Sequence, residues 1–216
     1  MKKYDMILFD LDGTLTDPEH GLCESYYYGL TKSGVKIRDK KALKKYIGPT
    51  LVDIWQEDFG FTRDEAVCAI EKFREYFSVY GWWDNRVYDG VHDMLATLKS
   101  RGKILALATS KPEVFARRIV AKFDLLRYFD YVGAASLDGS RDKKWQVIEH
   151  VLERAGDPDR SRCILVGDRC FDAEGAARCG IDSLGVLYGM GTRDELEKAG
   201  FTYIVPTVDD VVKMLK

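Results

Sequence analysis

Apolar positions along this 216-residue chain fall into two rhythms. From Val87 onward, short apolar runs alternate with stripes spaced three and four residues apart. The runs are Lys103 to Ala108, Tyr131 to Ala134, Cys163 to Val166, Asp182 to Val186 and Thr202 to Val205. Runs of this length bounded by turn residues predict strands buried on both faces. Between them, Val91, Met94, Leu95 and Leu98 predict a helix over 91–99, closed by Gly102. Val114, Phe115, Ile119 and Phe123 predict a second, with Pro112 in its first turn. Val147, Ile148, Val151 and Leu152 mark a third over 144–155. Further helices are expected through 173–177, ended by Gly180, and from Thr207 or Asp209 to Leu215. One more apolar run, Met6-Ile7-Leu8-Phe9, stands near the start. Strands alternating with helices predict an α/β protein whose parallel sheet is covered on both faces.

Residues 17–85 carry only the helical rhythm. Helices are predicted over 21–33, 40–46, 51–59 and 64–80; Ala66, Ala69, Ile70, Phe73 and Phe77 form the clearest stripe. A helical block placed after the first strand predicts a separate cap over 17–85, inserted into a core of 1–16 and 86–216. Gly81-Trp82-Trp83-Asp84-Asn85 reads as a hinge region. The run Lys40-Lys41-x-x-Lys44-Lys45 reads as a solvated helix face that could also draw an anionic substrate toward the cap.

Composition narrows the function classes. A net charge of -2 offers no basic field for nucleic acid polymers or membrane surfaces. No apolar run approaches the roughly 18 residues of a membrane span, and the pattern of a secretory signal is not expected. Five cysteines, Cys23, Cys68, Cys163, Cys170 and Cys179, form no CxxC pair and are odd in number. Free thiols in a reducing, cytoplasmic compartment follow as the expectation.

The candidate chemistry begins at Asp10-Leu11-Asp12-Gly13-Thr14, directly after Met6–Phe9. Ligands of open α/β sheets bind beyond the carboxyl ends of the strands. Three other strands end in chemistry-bearing residues or lead to them: Thr109-Ser110-Lys111, Lys143-Lys144, and Gly167-Asp168 with Asp172. Parallel strands bring these to one edge, and no GxxxxGK[ST] loop is present. Carboxylates, hydroxyls and a lysine together suit phosphoryl transfer through a covalent aspartate. A divalent cation held by Asp10 and Asp168 offsets the repulsion between an anionic nucleophile and a phosphate ester. Asp12 can protonate the leaving oxygen and deprotonate the attacking water. Lys144 and the hydroxyl of Thr109 or Ser110 would bind the phosphoryl oxygens.

Asp10-Leu11-Asp12-Gly13-Thr14-Leu15, Thr109-Ser110-Lys111, Lys144 and Gly167-Asp168-x-x-x-Asp172 resemble the four motifs of the haloacid dehalogenase-like (HAD) hydrolases. The helical insert is similar to the cap of the phosphoglycolate phosphatase and β-phosphoglucomutase branch. The resemblance implies a Rossmann-like core, Asp10 as nucleophile and Asp12 as acid/base and metal ligand through its backbone carbonyl. It further implies Mg²⁺ held also by Asp168, with Asp172 binding or orienting metal-bound water. Two positions depart from the family pattern. Ser110 stands where Asn is frequent, and Trp145 follows Lys144 where Pro is usual. Leu137-Asp138-Gly139-Ser140-Arg141 is similar to a subgroup of bacterial 5′-nucleotidases, and Ile47-Gly48-Pro49 resembles a cap loop that some relatives press over substrate, although a helix-breaking turn explains it equally.

The expected activity is Mg²⁺-dependent hydrolysis of a small phosphorylated metabolite. A phosphomutase is the rival within the family; a regulatory or binding protein on the same fold is the rival outside it. His20, His92 and His150 read as structural or exposed. Trp82 and Trp83 read as hinge packing rather than substrate stacking, and Arg169 as either a phosphate contact or a solvated side chain. Substrate identity and oligomeric state are not encoded in these motifs.

Overall fold

Met6–Phe9 forms strand β1, in which every residue is buried. In this computed structural model, which describes residues 2–48 and 50–216, the later strands follow in chain order. They are β2 (Thr16–Asp17), β3 (Arg86–Val87), β4 (Ile104–Pro112), β5 (Tyr131–Ala135), β6 (Cys163–Gly167), β7 (Asp182–Val186) and β8 (Tyr203–Val205). Six of them make one parallel sheet in the order β5-β4-β1-β6-β7-β8. The chain winds outward from β1 in both directions, so the switch point lies at the carboxyl ends of β4, β1 and β6. Phe9 is in register with Leu107 on one side and Val166 on the other. The next residues along these three strands are therefore Asp10, Ala108 and Gly167.

The helices are α1 (Glu19–Lys32), α2 (Leu51–Glu57), α3 (Arg63–Tyr76), α4 (Val91–Ser100), α5 (Glu113–Lys122), α6 (Lys144–Arg154), α7 (Cys170–Arg178), α8 (Arg193–Ala199) and α9 (Val208–Met214). On one face of the sheet, Met6, Leu8, Ala106, Ala108 and Leu165 pack against Val147, Ile148, Val151 and Leu152 of α6 and Ala176 of α7. Ile7, Phe9, Leu105 and Leu107, the alternate positions, are also wholly buried. Burial on both faces explains why these strands read as continuous apolar runs.

The chain divides into two compact units, Met1–Asp17 with Val87–Lys216, and Pro18–Arg86. These limits lie one residue beyond those expected from the pattern. Strands β2 and β3, through which the chain leaves and re-enters the first unit, form a two-stranded ribbon. Within the helical unit, Phe73 stacks on Tyr26 and Phe77 at 5.3 Å and meets the edge of Trp55 at 6.3 Å. Thr62 and Glu65 cap α3 reciprocally: the Glu65 carboxylate accepts from Thr62 N–H at 2.8 Å, and Thr62 Oγ1 from Glu65 N–H at 3.3 Å.

Several local expectations shift. Residues Lys41–Tyr46 form a 3-10 helix, not an α-helix, and the helix expected to Tyr80 becomes a π-helical turn at Phe77–Gly81. Strand β4 runs on to Pro112 through an irregularity between Thr109 and Pro112. Helix α7, expected through 173–177, spans Cys170–Arg178. The lysine run is matched by acids of the same unit, with Lys40 on Glu24, Lys44 on Glu19 and Lys45 on Asp58, so these three are not a bare cationic face. Ile47 and Gly48 follow the 3-10 helix; Pro49 lies outside the described residues. All five cysteines are free. No helix among the described residues is long and apolar enough to cross a membrane.

Candidate active site

Asp10 leaves β1 with its N–H bonded to Val166 O at 2.9 Å. The chain then folds back: Leu15 N and Thr16 N both reach Leu11 O, at 2.9 and 3.0 Å, and Gly13 N reaches Thr16 O at 2.7 Å. Gly13 adopts φ +84°, and a Cβ there would lie 2.1 Å from Asp168 Oδ2. The glycine of the first motif is thus required twice, for its backbone conformation and for the room it leaves an acid 155 residues away.

Asp168 follows β6 and is fully buried. Its Oδ1 accepts from Thr14 Oγ1 at 3.0 Å and its Oδ2 from Met190 N–H at 2.9 Å. Asp172 is the third residue of α7. Its Oδ2 accepts from the N–H groups of Asp168 and Arg169, both at 3.1 Å. These bonds cap the amino end of α7, where a carboxylate also faces the positive end of the helix dipole.

Lys144 opens α6 and is buried. Its Nζ lies 2.8 Å from Asp10 Oδ1 and 2.8 Å from Asp172 Oδ1, and donates to Ala108 O at 3.1 Å. One ammonium therefore joins the ends of three motifs. Lys143, its neighbour in sequence, is exposed at the helix cap, where its N–H bonds to Gln146 Oε1 at 3.0 Å. Trp145, in the place where Pro is usual, carries the Arg178 guanidinium 3.7 Å over its ring.

Carboxylate oxygens of Asp10, Asp168 and Asp172 come within 4.8 Å of one another. Of the four acids expected at a metal, Asp12 is the one whose carboxylate turns elsewhere: Lys111 Nζ donates to its Oδ2. The other oxygen, Asp12 Oδ1, is buried with no hydrogen-bond partner among the described residues. Thr109 is buried beside this pair and its Oγ1 accepts from Lys111 N–H at 3.2 Å. Ser110 is partly exposed at the same strand end.

Electrostatically the site is short of positive charge. Burial, then the charges of Asp172 and Asp10, push the Asp168 pKa well above the usual carboxylate range. Burial also raises Asp172, against the pull of Lys144, and raises Asp12, against the pull of Lys111. Burial alone would lower Lys144, but the facing Asp10 and Asp172 carboxylates outweigh it and hold the ammonium charged. Convergent, buried oxygen donors facing too little positive charge fit a hard divalent cation.

Arg169 and the segment Leu137–Arg141 are held by local contacts. Arg169, expected as either a phosphate contact or a solvated side chain, pairs through its Nε with Glu195 Oε1 of α8 at 2.8 Å and is half-buried. Leu137–Arg141 closes on itself, Asp138 Oδ1 accepting from Ser140 N at 3.0 Å and Arg141 Nε donating to Ala134 O at 2.9 Å. His20 pairs with Asp84 and His92 with Tyr128.

A family model described as haloacid dehalogenase-like hydrolase matches residues 7–186, a span that takes in every one of these acids and Lys144. The chain belongs to that family. It is 42% identical over 194 residues to a 5′-nucleotidase of Pseudomonas aeruginosa, covering 90% of this chain and 87% of that one. Among solved structures it is similar to one described as a predicted phosphatase from Clostridium acetobutylicum, at TM-score 0.95 and 40% identity, covering 99% and 98% of the two chains. The protein tyrosine kinase A (PtkA) of Mycobacterium tuberculosis is similar at TM-score 0.85 and 34% identity, covering 100% and 99%.

Proposed function

We propose that this protein is a Mg²⁺-dependent phosphatase that hydrolyses a small phosphate monoester through an aspartyl-phosphate on Asp10. The observation that carries the reading is the meeting of Asp10, Asp168 and Asp172 around the buried Lys144 ammonium at the switch point of the sheet. The relatives named as a phosphatase and a 5′-nucleotidase support it.

In this mechanism an Asp10 carboxylate oxygen forms a bond to phosphorus while the bond to the leaving oxygen breaks. Asp12, whose buried Oδ1 has no hydrogen-bond partner among the described residues, gives the leaving oxygen a proton. It then takes a proton from the water that attacks phosphorus, so inorganic phosphate leaves and Asp10 is restored. Lys144 and the hydroxyls of Thr109 and Ser110 bind the phosphoryl oxygens. Mg²⁺, held by Asp10, Asp168, Asp172 and the Asp12 carbonyl, supplies charge neutralisation at the phosphoryl group when bound. Uncatalysed hydrolysis of such esters is slow enough that enzymes supply up to about 10²¹-fold, so several groups must act together.

Phosphate release from p-nitrophenyl phosphate, with Mg²⁺ and with a chelator, tests the reading, followed by a panel of nucleoside monophosphates, sugar phosphates and phosphoglycolate. Metal-dependent turnover is expected, along with a phosphoryl mass increment on the Asp10 peptide after acid quench. Asp10→Asn should lower turnover by at least about 10³-fold while the chain still folds. A metal-replete sample without turnover on any of these esters, or an active Asp10→Asn, would refute it.

A further inference from the structure

The turn between β7 and α8 comes back to the acidic cluster from a part of the chain that carries none of its motifs. Tyr188 Oη donates to Thr14 O at 3.0 Å. Thr14 Oγ1 donates to Asp168 Oδ1 at 3.0 Å, and Asp168 Oδ2 accepts from Met190 N–H at 2.9 Å. A chain of three hydrogen bonds thus begins and ends within the same three-residue stretch, passing through the loop after β1 and through both oxygens of Asp168. Between its two ends sits Gly189. A Cβ there would lie 2.3 Å from Gly13 O and 2.4 Å from Asp168 Cβ, both too close for any side chain. The backbone of the turn therefore lies directly against the acid. Tyr188 is itself braced by the edge of Tyr88, with ring centroids 5.2 Å apart. Burial and the nearby Asp168 charge keep its phenol protonated, so it stays a donor.

A buried carboxylate facing two other acids gains nothing electrostatically by staying among them; donors on its own far side must hold it there. Asp168 has two such donors, Thr14 Oγ1 and Met190 N–H. Tyr188 holds the first in place through Thr14's own carbonyl, and Gly189 lets the second come close enough. We propose that Tyr188, Gly189 and Met190 form a positioning element that fixes the Asp168 carboxylate toward Asp10 and Asp172, and thereby sets the affinity of the cluster for a divalent cation. This rests on the reading of the cluster as a cation site. Groups that hold metal ligands in place typically alter affinity about 10- to 100-fold when removed.

Tyr188→Phe removes one hydroxyl and keeps the ring. Mg²⁺ titrations of wild type and variant, followed by thermal shift and by calorimetry without substrate, read the affinity independently of turnover. The expected result is about 10-fold weaker Mg²⁺ binding, with KM for p-nitrophenyl phosphate at saturating Mg²⁺ within about twofold of wild type. Gly189→Ala should weaken Mg²⁺ further. A Tyr188→Phe protein of lowered melting temperature but unchanged Mg²⁺ affinity overturns the proposal and leaves the phosphatase reading intact. A wild-type protein with no Mg²⁺ response overturns both.

Discussion

Lys111 donates to Asp12 Oδ2 in a buried ion pair, the two side chains being only 6% and 17% exposed. The pair joins the end of β4 to the turn after β1, and it engages one carboxylate oxygen while Oδ1 has no hydrogen-bond partner among the described residues. Asp12 is thereby held by one oxygen and offers the other. Such a pair gains stability mainly by not being broken, because a lone charge left behind in the interior has no compensation.

Lys111→Met should therefore lower stability and turnover together. Burial already raises the Asp12 pKa, so the orphaned carboxyl takes up a proton and limits the damage. A loss of about 2 kcal/mol in urea unfolding is expected, with kcat reduced on the order of 10²-fold. Unchanged values of both would remove the pair from any role in holding Asp12.

Strand β1 and its acids were legible because a strand buried on both faces reads as four consecutive apolar residues, and its end is marked by the Asp-x-Asp-Gly turn. The residues alone leave Lys143 and Lys144 both open at the phosphate; Lys144 is preferred because Val147, Ile148 and Val151 fit the helix that follows the motif lysine in the family it resembles. Lys111 was present in the sequence as the third residue of Thr109-Ser110-Lys111, yet it gained no role. The usable signal was the period of two: with β4 extended to Pro112, Thr109 and Lys111 face the same way. Helix α8 escaped notice because a single residue of it, Leu196, is buried, so it has no stripe. The bonds of Tyr188 and Met190 span 174 and 22 residues and depend on the sheet order. No local pattern encodes them.

In the helical unit, His20 Nδ1 is bonded to Asp84 Oδ2. That hydrogen bond first, and the Asp84 charge second, raise the imidazole pKa above its ordinary 6.5. A group with a raised folded pKa contributes stability that is fully present below the unfolded pKa and lost as pH rises through the folded one. Both side chains are exposed, so the effect should be clear in the titration and slight in stability. An NMR pH titration should place the His20 midpoint above 6.5, and Asp84→Asn should return it toward that value. A His20 midpoint insensitive to Asp84→Asn would show that the pair does not form in solution.

Thiol reactivity should separate the cysteines by burial. Burial pushes the Cys163 thiol up to about 11, and burial followed by the Glu149 charge pushes Cys179 up to about 12. Both side chains are buried, whereas Cys68 is exposed. Burial and their raised pKa predict that Cys163 and Cys179 are alkylated far more slowly at pH 8 than the exposed Cys68. Mass spectrometry after timed alkylation checks this. Equal labelling of all three in the folded protein would mean that the sheet opens far more readily than its burial implies.

Lys144 lies between Asp10 and Asp172, its ammonium 2.8 Å from a carboxylate oxygen of each, beside the cluster that these two form with Asp168. Lys144→Ala leaves those carboxylates facing one another in the interior, and in chelator the unfolding free energy should fall by about 3 kcal/mol. The pKa of Asp168 is already raised in the folded state, so the folded protein binds more protons there than the unfolded chain does. Stability of the variant in chelator should accordingly rise as pH falls toward that raised pKa, the opposite of the usual acid denaturation by paired carboxylates. A divalent cation replaces the missing charge. Mg²⁺ should therefore raise the melting temperature of Lys144→Ala more than that of wild type, even though kcat stays lower by on the order of 10²–10³-fold for want of a phosphoryl contact. Melting curves across pH and Mg²⁺ concentration decide the matter: equal Mg²⁺ gains in the two proteins would mean that the ammonium and the cation do not answer to the same acids.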